Sequence, residues 1–224
     1  MAVALGTLSI GNWLVAARNP VTASAELRIT LYDQARLPPE AIESAFDQLR
    51  VVFHQSGIAI KLVVGDPAAD EAHLFTYNPM PPGYEQEAAC RARRDIALRL
   101  FDISPAGLRE TVLGMASPLA RTGVNVRVFT DHVREAAFRH NRPYAIVLSY
   151  VIAHEIGHVL LRNSEHEQHG LMSSVWTGHE YSRMMDTAVM FFTGDESQKM
   201  LMTLRGMGCR NGTNGFPDTP SLVP

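Results

Sequence analysis

The sequence predicts a single α+β domain, in which a twisted mixed β-sheet carries two long helices and the chain ends in a helical C-terminal part. Three observations lead to this fold class. Several short segments in the first part of the chain have the composition or the apolar–polar alternation of β-strands. Two long segments have helical patterning, and one of them is apolar on all sides, as a buried helix is. No internal repeat or low-complexity tract divides the 224 residues, a length that suits one sizeable domain.

The first half of the chain is predicted to supply most of the sheet and the first long helix. Residues 26–33 alternate apolar and polar side chains, which is typical of a half-buried strand. Pro38 and Pro39 then open a helix whose apolar residues recur at intervals of three and four, until Gly57 ends it. Further strands are predicted at residues 58–64, 95–103 and 124–130. Helices of the C-terminal part are predicted at residues 181–192 and 196–204.

The second long helix, residues 143–161, carries the most specific motif of the chain, HEIGH. His154 and His158 lie four residues apart, about one helical turn, so both imidazoles leave the same face and can bind one ion. Glu155 is rotated by about 100° from His154, close enough to reach a water on that ion without being a ligand. The alternative is a pair of hydrogen-bonded core histidines. Since a carboxylate and two imidazoles are expensive on a buried helix unless they are paired or metal-bound, we favour a zinc site.

A catalytic zinc site needs a third protein ligand and leaves the fourth position for water. The helix is expected to end soon after His158, with Arg162, Asn163 and Ser164 as possible terminators, and Asn163 tolerates the left-handed conformation of a helix C-cap. A short excursion past this point could return His166 to the ion, so His166 is the preferred third ligand. His169 and Glu180 are the alternatives, the second of them by analogy with another class of zinc peptidases.

The HEIGH motif, a later His and the tripeptide Gly-Leu-Met together resemble the metzincin zinc peptidases, particularly their matrixin-like branch. They also resemble a group of bacterial metzincin-like proteins that carry HEIGHLLL, a late His, GIM and then a Trp. Here the last three elements are His166, residues 170–172 and Trp176. The sequence departs from the metzincin pattern HExxHxxGxxH, because Leu161 stands where Gly is expected and Ser164 stands where the third His is expected. His166 therefore arrives two residues late.

This resemblance implies a metzincin-like zincin fold for a catalytic domain at residues 26–205. It implies that Met172 is the residue of the methionine turn, which lies beneath the metal in that family. Tyr181 is a candidate second stabiliser of the oxyanion, because some metzincins place a tyrosine shortly after the methionine turn. Residues 112–118 look like the edge strand that faces substrate in matrixins, since an edge strand can pair with an extended peptide. A short connecting strand is the alternative reading of that segment.

The function predicted from the motif is zinc-dependent endopeptidase activity. Zinc lowers the pKa of bound water and polarises the scissile carbonyl. Glu155 would take the proton of the water and pass it to the leaving amine, as general base and then general acid. The alternative is a non-catalytic zinc-binding protein, a pseudo-peptidase on the same fold. Glu155 counts against this alternative, because a purely structural site has no use for that carboxylate.

The motif predicts a peptide or protein as the substrate, and we expect the chain to be a monomer. A net charge of −3 with 19% charged residues argues against nucleic-acid binding. Residues 1–17 are mostly apolar and residues 23–25 (ASA) resemble a signal-peptidase site, so residues 1–25 could be a signal peptide, although the apolar stretch has no basic residue before it. They are too short for a membrane span, and they favour a secreted or periplasmic protein over a cytoplasmic one. Cys90 and Cys209 suit either one disulfide or two free thiols, and residues 206–224 are predicted to be irregular.

Overall fold

The computed structural model describes residues 23–68, 95–116, 124–185 and 190–206. The predictions for the N-terminal segment up to residue 22, for Cys90 and for Cys209 lie outside these residues, as does the tail from residue 207 onwards. The described residues form a five-stranded mixed sheet with helices, so the predicted α+β fold class is confirmed.

The sheet has four parallel strands and one antiparallel edge strand. Its strands lie in the spatial order β2-β1-β3-β5-β4, so that β4 occupies the edge beside β5. The bounds in chain order are β1 (Ala25–Asp33), β2 (Ile58–Val64), β3 (Asp95–Phe101), β4 (Gly114–Ala116) and β5 (Val124–Phe129). In the register of the antiparallel pair, Gly114 lies opposite Val128 and Met115 lies opposite Arg127.

The helices include the two long ones that the sequence predicts, α1 and α3. The bounds are α1 (Pro39–His54), α2 (Thr130–Arg139), α3 (Tyr144–Leu161), α4 (Gly178–Arg183) and α5 (Gly194–Gly206). Pro39 lies in the first turn of α1, where its missing N–H would have no partner within the helix. The predicted helix at residues 196–204 lies within α5 and is confirmed.

Helix α3 is the central helix of the core. It packs against α1, α2, α5 and the β4–β5 side of the sheet. Its length and apolar composition would also suit a membrane-spanning helix, but 72% of it is buried inside the protein. This burial is what a core helix shows, and it agrees with the apolar sequence on all sides of α3. The buried core also includes the alternate residues Leu27, Ile29 and Leu31 of β1 and the α1 residues Phe46, Leu49 and Phe53.

Helix α2 was not predicted, and its presence corrects the end of the preceding strand. Thr130 is the first residue of α2 rather than the last residue of β5. Its buried residues include only three apolar ones, Val133, Ala136 and Ala137, so its helical pattern is weak in the sequence. The segment predicted as a strand at residues 95–103 ends at Phe101 in the structure.

The predicted helix at residues 181–192 is wrong. Helix α4 starts earlier, at Gly178, and ends at Arg183, and residues 190–193 are not helical. The early start has a local cause, because Thr177 and Glu180 form a capping box. The hydroxyl of Thr177 accepts a hydrogen bond from the amide of His179, and the carboxylate of Glu180 accepts one from the amide of Thr177 at 2.8 Å.

Candidate metal centre

The histidines of α3 and one histidine of the following loop converge on one point. The Nε2 atom of His158 lies 3.1 Å from the Nε2 atom of His154 and 3.2 Å from that of His166. One ligand atom from each of the three side chains lies within 4.8 Å of the others. His158 is buried, His154 is half-buried and His166 is exposed, so the group opens to solvent on the side of the loop.

The loop returns to the helix because α3 ends abruptly. Arg162 adopts the left-handed conformation, with φ of 58°, and the next amide donates to the carbonyl oxygen of His158. The left-handed residue is therefore Arg162, the first of the three predicted terminators, rather than Asn163, whose side chain tolerates that conformation better. The reversal of the chain there places His166 over the face of α3 that carries the other two histidines.

Backbone carbonyls fix the orientation of both helix histidines. The Nδ1 atom of His154 lies 2.8 Å from the carbonyl oxygen of Leu171, and that of His158 lies 3.1 Å from the carbonyl oxygen of Asn163. A carbonyl oxygen can only accept, so Nδ1 carries the proton in both rings and Nε2 carries the free lone pair. The lone pairs of neighbouring imidazoles thus face each other, an arrangement that a shared cation stabilises.

The donor set and its spacing fit zinc. Four-coordinate zinc binds imidazole nitrogens at about 2.0–2.1 Å, so tetrahedral geometry separates two such nitrogens by about 3.3 Å. The two shortest Nε2–Nε2 distances of the group, 3.1 and 3.2 Å, are close to this value. Three converging imidazoles with a solvent-facing side form a site that can hold zinc and leave one position for water.

The electrostatics of the two helix histidines favour metal binding. Burial lowers the pKa of His154 to about 4, the hydrogen bond to Leu171 opposes this shift, and the neighbouring histidines add to it. Burial and the proximity of His166 also lower the pKa of His158 below its usual value. Both rings are therefore neutral near pH 7, which is the form that coordinates a metal.

Glu155 lies beside the histidine group but is not part of it. Its side chain is buried, and among the described residues it has no hydrogen bond and no ion pair. Burial raises the pKa of Glu155 to about 8. A bound cation would lower this pKa again, since a nearby positive charge favours the carboxylate. A carboxyl group with a pKa near the operating pH is suited to general base and acid work.

The edge strand β4 lies directly against Glu155. A Cβ atom at position 114 would lie 2.8 Å from Cγ and 2.9 Å from Oε1 of Glu155, and 3.0 Å from the carbonyl oxygen of Arg127. These distances are too short for a real side chain, so only glycine allows this approach of β4 to the helix. Gly114 therefore sets how closely β4 approaches the Glu155 side chain.

Met172 lies beneath the HEIGH segment, as the resemblance implies for the methionine turn. It is buried, and its Sδ atom would lie 2.5 Å from a Cβ atom at position 157. Gly157 thus lets the thioether pack against the backbone of α3 between the two histidines of the motif. The carbonyl oxygen of Leu171, the preceding residue, is the acceptor for His154.

The other predicted site residues lie apart from the histidine group. His169 is exposed and does not belong to the group, and Glu180 uses its carboxylate to cap α4. Tyr181 is buried, with its ring stacked on His140 at 3.8 Å between centroids and edge-on to Trp176 at 6.1 Å. The structure thus brings together His154, His158 and His166, with Glu155 adjacent.

Trp176 contacts the metal centre directly, a role that the sequence analysis did not assign. Its indole Nε1 donates to the carbonyl oxygen of Leu171 at 3.3 Å, the same oxygen that His154 uses. Its ring also lies edge-to-face with the His154 ring, 5.7 Å between centroids. The sequence indicates Trp176 only through its position after the Gly-Leu-Met tripeptide, which matches the Trp of the bacterial metzincin-like proteins. That Trp176 and His154 share the Leu171 carbonyl as an acceptor is visible only in the structure.

Replacing Trp176 with Phe should weaken zinc binding by about tenfold, at the lower end of the usual effect of outer-shell partners. The phenyl ring keeps an aromatic face near His154 but loses the N–H that holds the Leu171 carbonyl. Competition with a fluorescent chelator measures the change. The neighbouring exposed Val175, changed to Ala, is the matched control and should bind zinc as the unmodified chain does. Equal affinities for the two variants would show that Trp176 does not support the ligand.

Comparison with known proteins gives low similarities only. A scan against protein-family models and a search of curated proteins each return no match. Among solved structures, the chain is similar to metalloproteinase-II from Bacteroides fragilis, with 17% identity and a TM-score of 0.48 over 82% of this chain and 54% of that one. The chain therefore spans about half the length of that protein.

Two further structures cover their own chains almost completely. A zinc-dependent peptidase from Methanocorpusculum labreanum has 15% identity and a TM-score of 0.49, over 77% of this chain and 99% of that one. Archaemetzincin from Methanopyrus kandleri has 16% identity and a TM-score of 0.46, over 84% of this chain and 99% of that one. At such values, the activity of this chain has to be inferred from its own residues.

Proposed function

We propose that this chain is a zinc-dependent metalloendopeptidase of the metzincin-like class. The observation that supports it most strongly is the juxtaposition of three converging imidazoles, a buried carboxylate without a partner among the described residues, and a sheet edge within van der Waals contact of that carboxylate. Each of the three has a separate use in peptide hydrolysis. Together they fit that reaction better than they fit a structural metal site.

His154, His158 and His166 would hold the zinc ion through their Nε2 atoms. Zinc bound there supplies Lewis acidity, which lowers the pKa of a coordinated water and polarises a carbonyl group. Burial keeps the two imidazoles on α3 neutral, and the carbonyls of Leu171 and Asn163 keep them aligned. Met172 packs under α3 and supports the loop that carries the Leu171 carbonyl.

Glu155 would move the proton. Its carboxylate accepts a proton from the attacking water at Oε1 or Oε2, and then donates that proton to the nitrogen of the leaving amine. The apolar surroundings that raise its pKa also make it a stronger base than an exposed glutamate. The role of Tyr181 as a second oxyanion stabiliser stays a prediction, since its ring contacts are with His140 and Trp176.

The substrate would be an extended peptide bound to the free side of β4. Among the described strands β4 pairs only with β5, so its other edge has backbone groups available for a peptide. Gly114 faces Glu155, and alternation along a strand then points Met115 to the opposite face, where it is 46% exposed. A peptide paired with β4 would thus pass the metal centre with its backbone close to Glu155.

Replacing Gly114 with Ala should lower kcat/KM by about tenfold or more, because the methyl group has to displace Glu155 or β4 from a reactive geometry. Zinc affinity should not change, since no ligand touches this position. Steady-state kinetics and a zinc titration of the same preparation measure both quantities. The control is Met115→Ala, a substitution of an exposed residue in the same strand. Gly107 is not a suitable control, because its positive φ makes a substitution there strained even though a Cβ atom would meet nothing within 4 Å. Unchanged kinetics for Gly114→Ala would mean that β4 does not set the geometry of the reaction.

The proposal is tested by cleavage of an unfolded protein such as casein. The unmodified chain should cleave it, a chelator should stop the cleavage, and added zinc should restore it. The Glu155→Gln variant should bind one equivalent of zinc and remain inactive. A chain that binds zinc at the histidines yet cleaves neither casein nor a broad peptide library would instead be the non-catalytic zinc-binding protein.

A further inference from the structure

The loop between β3 and β4, residues 102–113, is attached at both ends to the first turn of α2. This attachment matters because Val112 leads into β4, which among the described strands pairs on one side only, with β5. A strand without a partner on its other side depends in part on the segment that leads into it for its position. The attachment points are Ser104 at the start of the loop and Val112 at its end.

Asp131 holds the start of the loop. Its Oδ2 atom accepts hydrogen bonds from the backbone amide and from the hydroxyl of Ser104, each at 2.9 Å. Burial is the largest single cause and raises the pKa of Asp131, but the two hydrogen bonds from Ser104 and the interactions with His132 together lower the pKa below its usual value. Asp131 is therefore an ionised acceptor near pH 7, and its hydrogen bonds are of the stronger, charge-assisted kind.

His132 links this anchor to the end of the loop. Its Nδ1 atom lies 2.8 Å from the carbonyl oxygen of Val112, and its Nε2 atom lies 2.8 Å from the hydroxyl of Ser104. Because a carbonyl oxygen only accepts, Nδ1 must carry a proton and donate it to Val112. The side chain is only 9% exposed, and the Phe129 ring packs against it at 6.3 Å. One buried imidazole thus connects both ends of the loop.

The remaining polar contacts of the loop are weaker or lie within the sheet. Arg134 pairs with Asp102 at 3.5 Å and Arg139 pairs with Glu110 at 3.2 Å, but all four side chains are about half exposed or more. Exposed ion pairs of this kind contribute little, because water and salt screen them. The amide of Phe129 donates to the carbonyl oxygen of Leu113 at 3.0 Å, which continues the pairing of β4 with β5.

We propose that His132 is a positioning residue for peptide binding, acting through Val112 to hold β4 beside Glu155. Val112 lies two residues before Gly114, the point of contact with Glu155, so a shift of the Val112 carbonyl moves the edge on which the peptide would lie. His132 itself contacts neither the histidine group nor Glu155 in the described structure. The inference rests on the proposed peptidase function, since it names a residue that sets the position of β4, the strand on which the peptide would lie, relative to Glu155.

Two substitutions at His132 separate its two hydrogen bonds. In His132→Asn, the amide nitrogen can take the place of Nδ1 and keep the donation to Val112. In His132→Gln, the amide group reaches the place of Nε2 and keeps the contact with Ser104, while the Val112 carbonyl loses its donor. The proposal predicts that the Asn variant resembles the unmodified chain and that the Gln variant does not.

The measurements are kinetics on a long and a short quenched peptide, together with hydrogen exchange. For His132→Gln, kcat/KM of the long peptide should fall by about tenfold, the effect of one buried hydrogen bond, mainly through KM. The short peptide, which reaches only the metal centre, should be cleaved at the unmodified rate. Amides of β4 should exchange faster in this variant, whereas those of α3 and the zinc content should not change. Ser104→Ala, which removes one hydroxyl, should show the same pattern to a smaller extent.

Two results together would overturn the proposal. The β4 amides would exchange at the same rate in His132→Gln, His132→Asn and the unmodified chain, and the ratio of kcat/KM for the long peptide to that for the short peptide would also be the same in all three. An equal loss on both peptides with loss of zinc also overturns it, because that result assigns His132 to general stability. The exchange comparison does not depend on activity. If the unmodified chain cleaves no peptide, the peptidase function fails, while the exchange data still decide whether His132 holds β4.

Discussion

Replacing Glu155 with Gln is expected to lower kcat by about 10²–10⁴-fold, the usual contribution of a general acid–base group. The amide has nearly the shape of the carboxylate but cannot accept the proton of the attacking water. Zinc should remain at one equivalent, because Glu155 does not belong to the histidine group. Rates on casein or a quenched peptide, with zinc measured in the same samples, check both parts of this result.

Loss of folding cannot account for this expected loss of activity. Without zinc, burial raises the pKa of Glu155 to about 8, so at pH 7 the folded chain has to hold a proton that the unfolded chain releases, whereas a neutral amide carries no such cost. The thermal midpoint of Glu155→Gln in the presence of chelator should therefore equal or exceed that of the unmodified chain. Glu165, an exposed glutamate on the nearby loop, changed to Gln is the matched control and should keep full activity. Substantial activity in Glu155→Gln would remove the proposed base from the mechanism.

The second large effect is expected at the third ligand. His166→Ala should release zinc and with it all activity, and the loss of affinity should exceed the 10–100-fold that outer-shell changes cause. The loss of one of only three protein ligands leaves two imidazoles on α3, too few for a stable site. Equilibrium dialysis against a zinc buffer measures the affinity, and peptide cleavage is followed in parallel.

His169→Ala is the matched control for this substitution. Both side chains are exposed histidines of the same loop, but only His166 points to the other two imidazoles. His169→Ala should bind zinc as the unmodified chain does, and Glu180→Ala should loosen the start of α4 without releasing zinc. If either of these variants lost zinc while His166→Ala retained it, the ligand set would have to be reassigned.

The local parts of this site could be predicted from the sequence because they depend on periodicity. The spacing of His154 and His158 on an apolar helix places both rings on one face, whatever the rest of the chain does. The alternation of apolar and polar residues in β1 and the three-and-four spacing of apolar residues in α1 likewise indicate which face of each element is buried. These elements lie within one or two residues of their predicted bounds.

The parts that could not be predicted depend on the path of the chain between distant segments. The contact of Gly114 with Glu155 and the bond of His132 to Val112 exist only once β4 lies beside α3 and α2. The left-handed residue at the end of α3 is Arg162, although local preference favours Asn, so the position of the helix end among neighbouring residues could not be read from that preference. The capping box at Thr177 was readable in the sequence and was missed.

The most direct measurement is a crystal structure of the zinc-loaded chain with anomalous data at the zinc edge. The account predicts a single anomalous peak about 2.0–2.1 Å from the Nε2 atoms of His154, His158 and His166, with an oxygen of water in the remaining position. A peak at other side chains, a fourth protein ligand that closes the site, or no bound zinc at full saturation would contradict it.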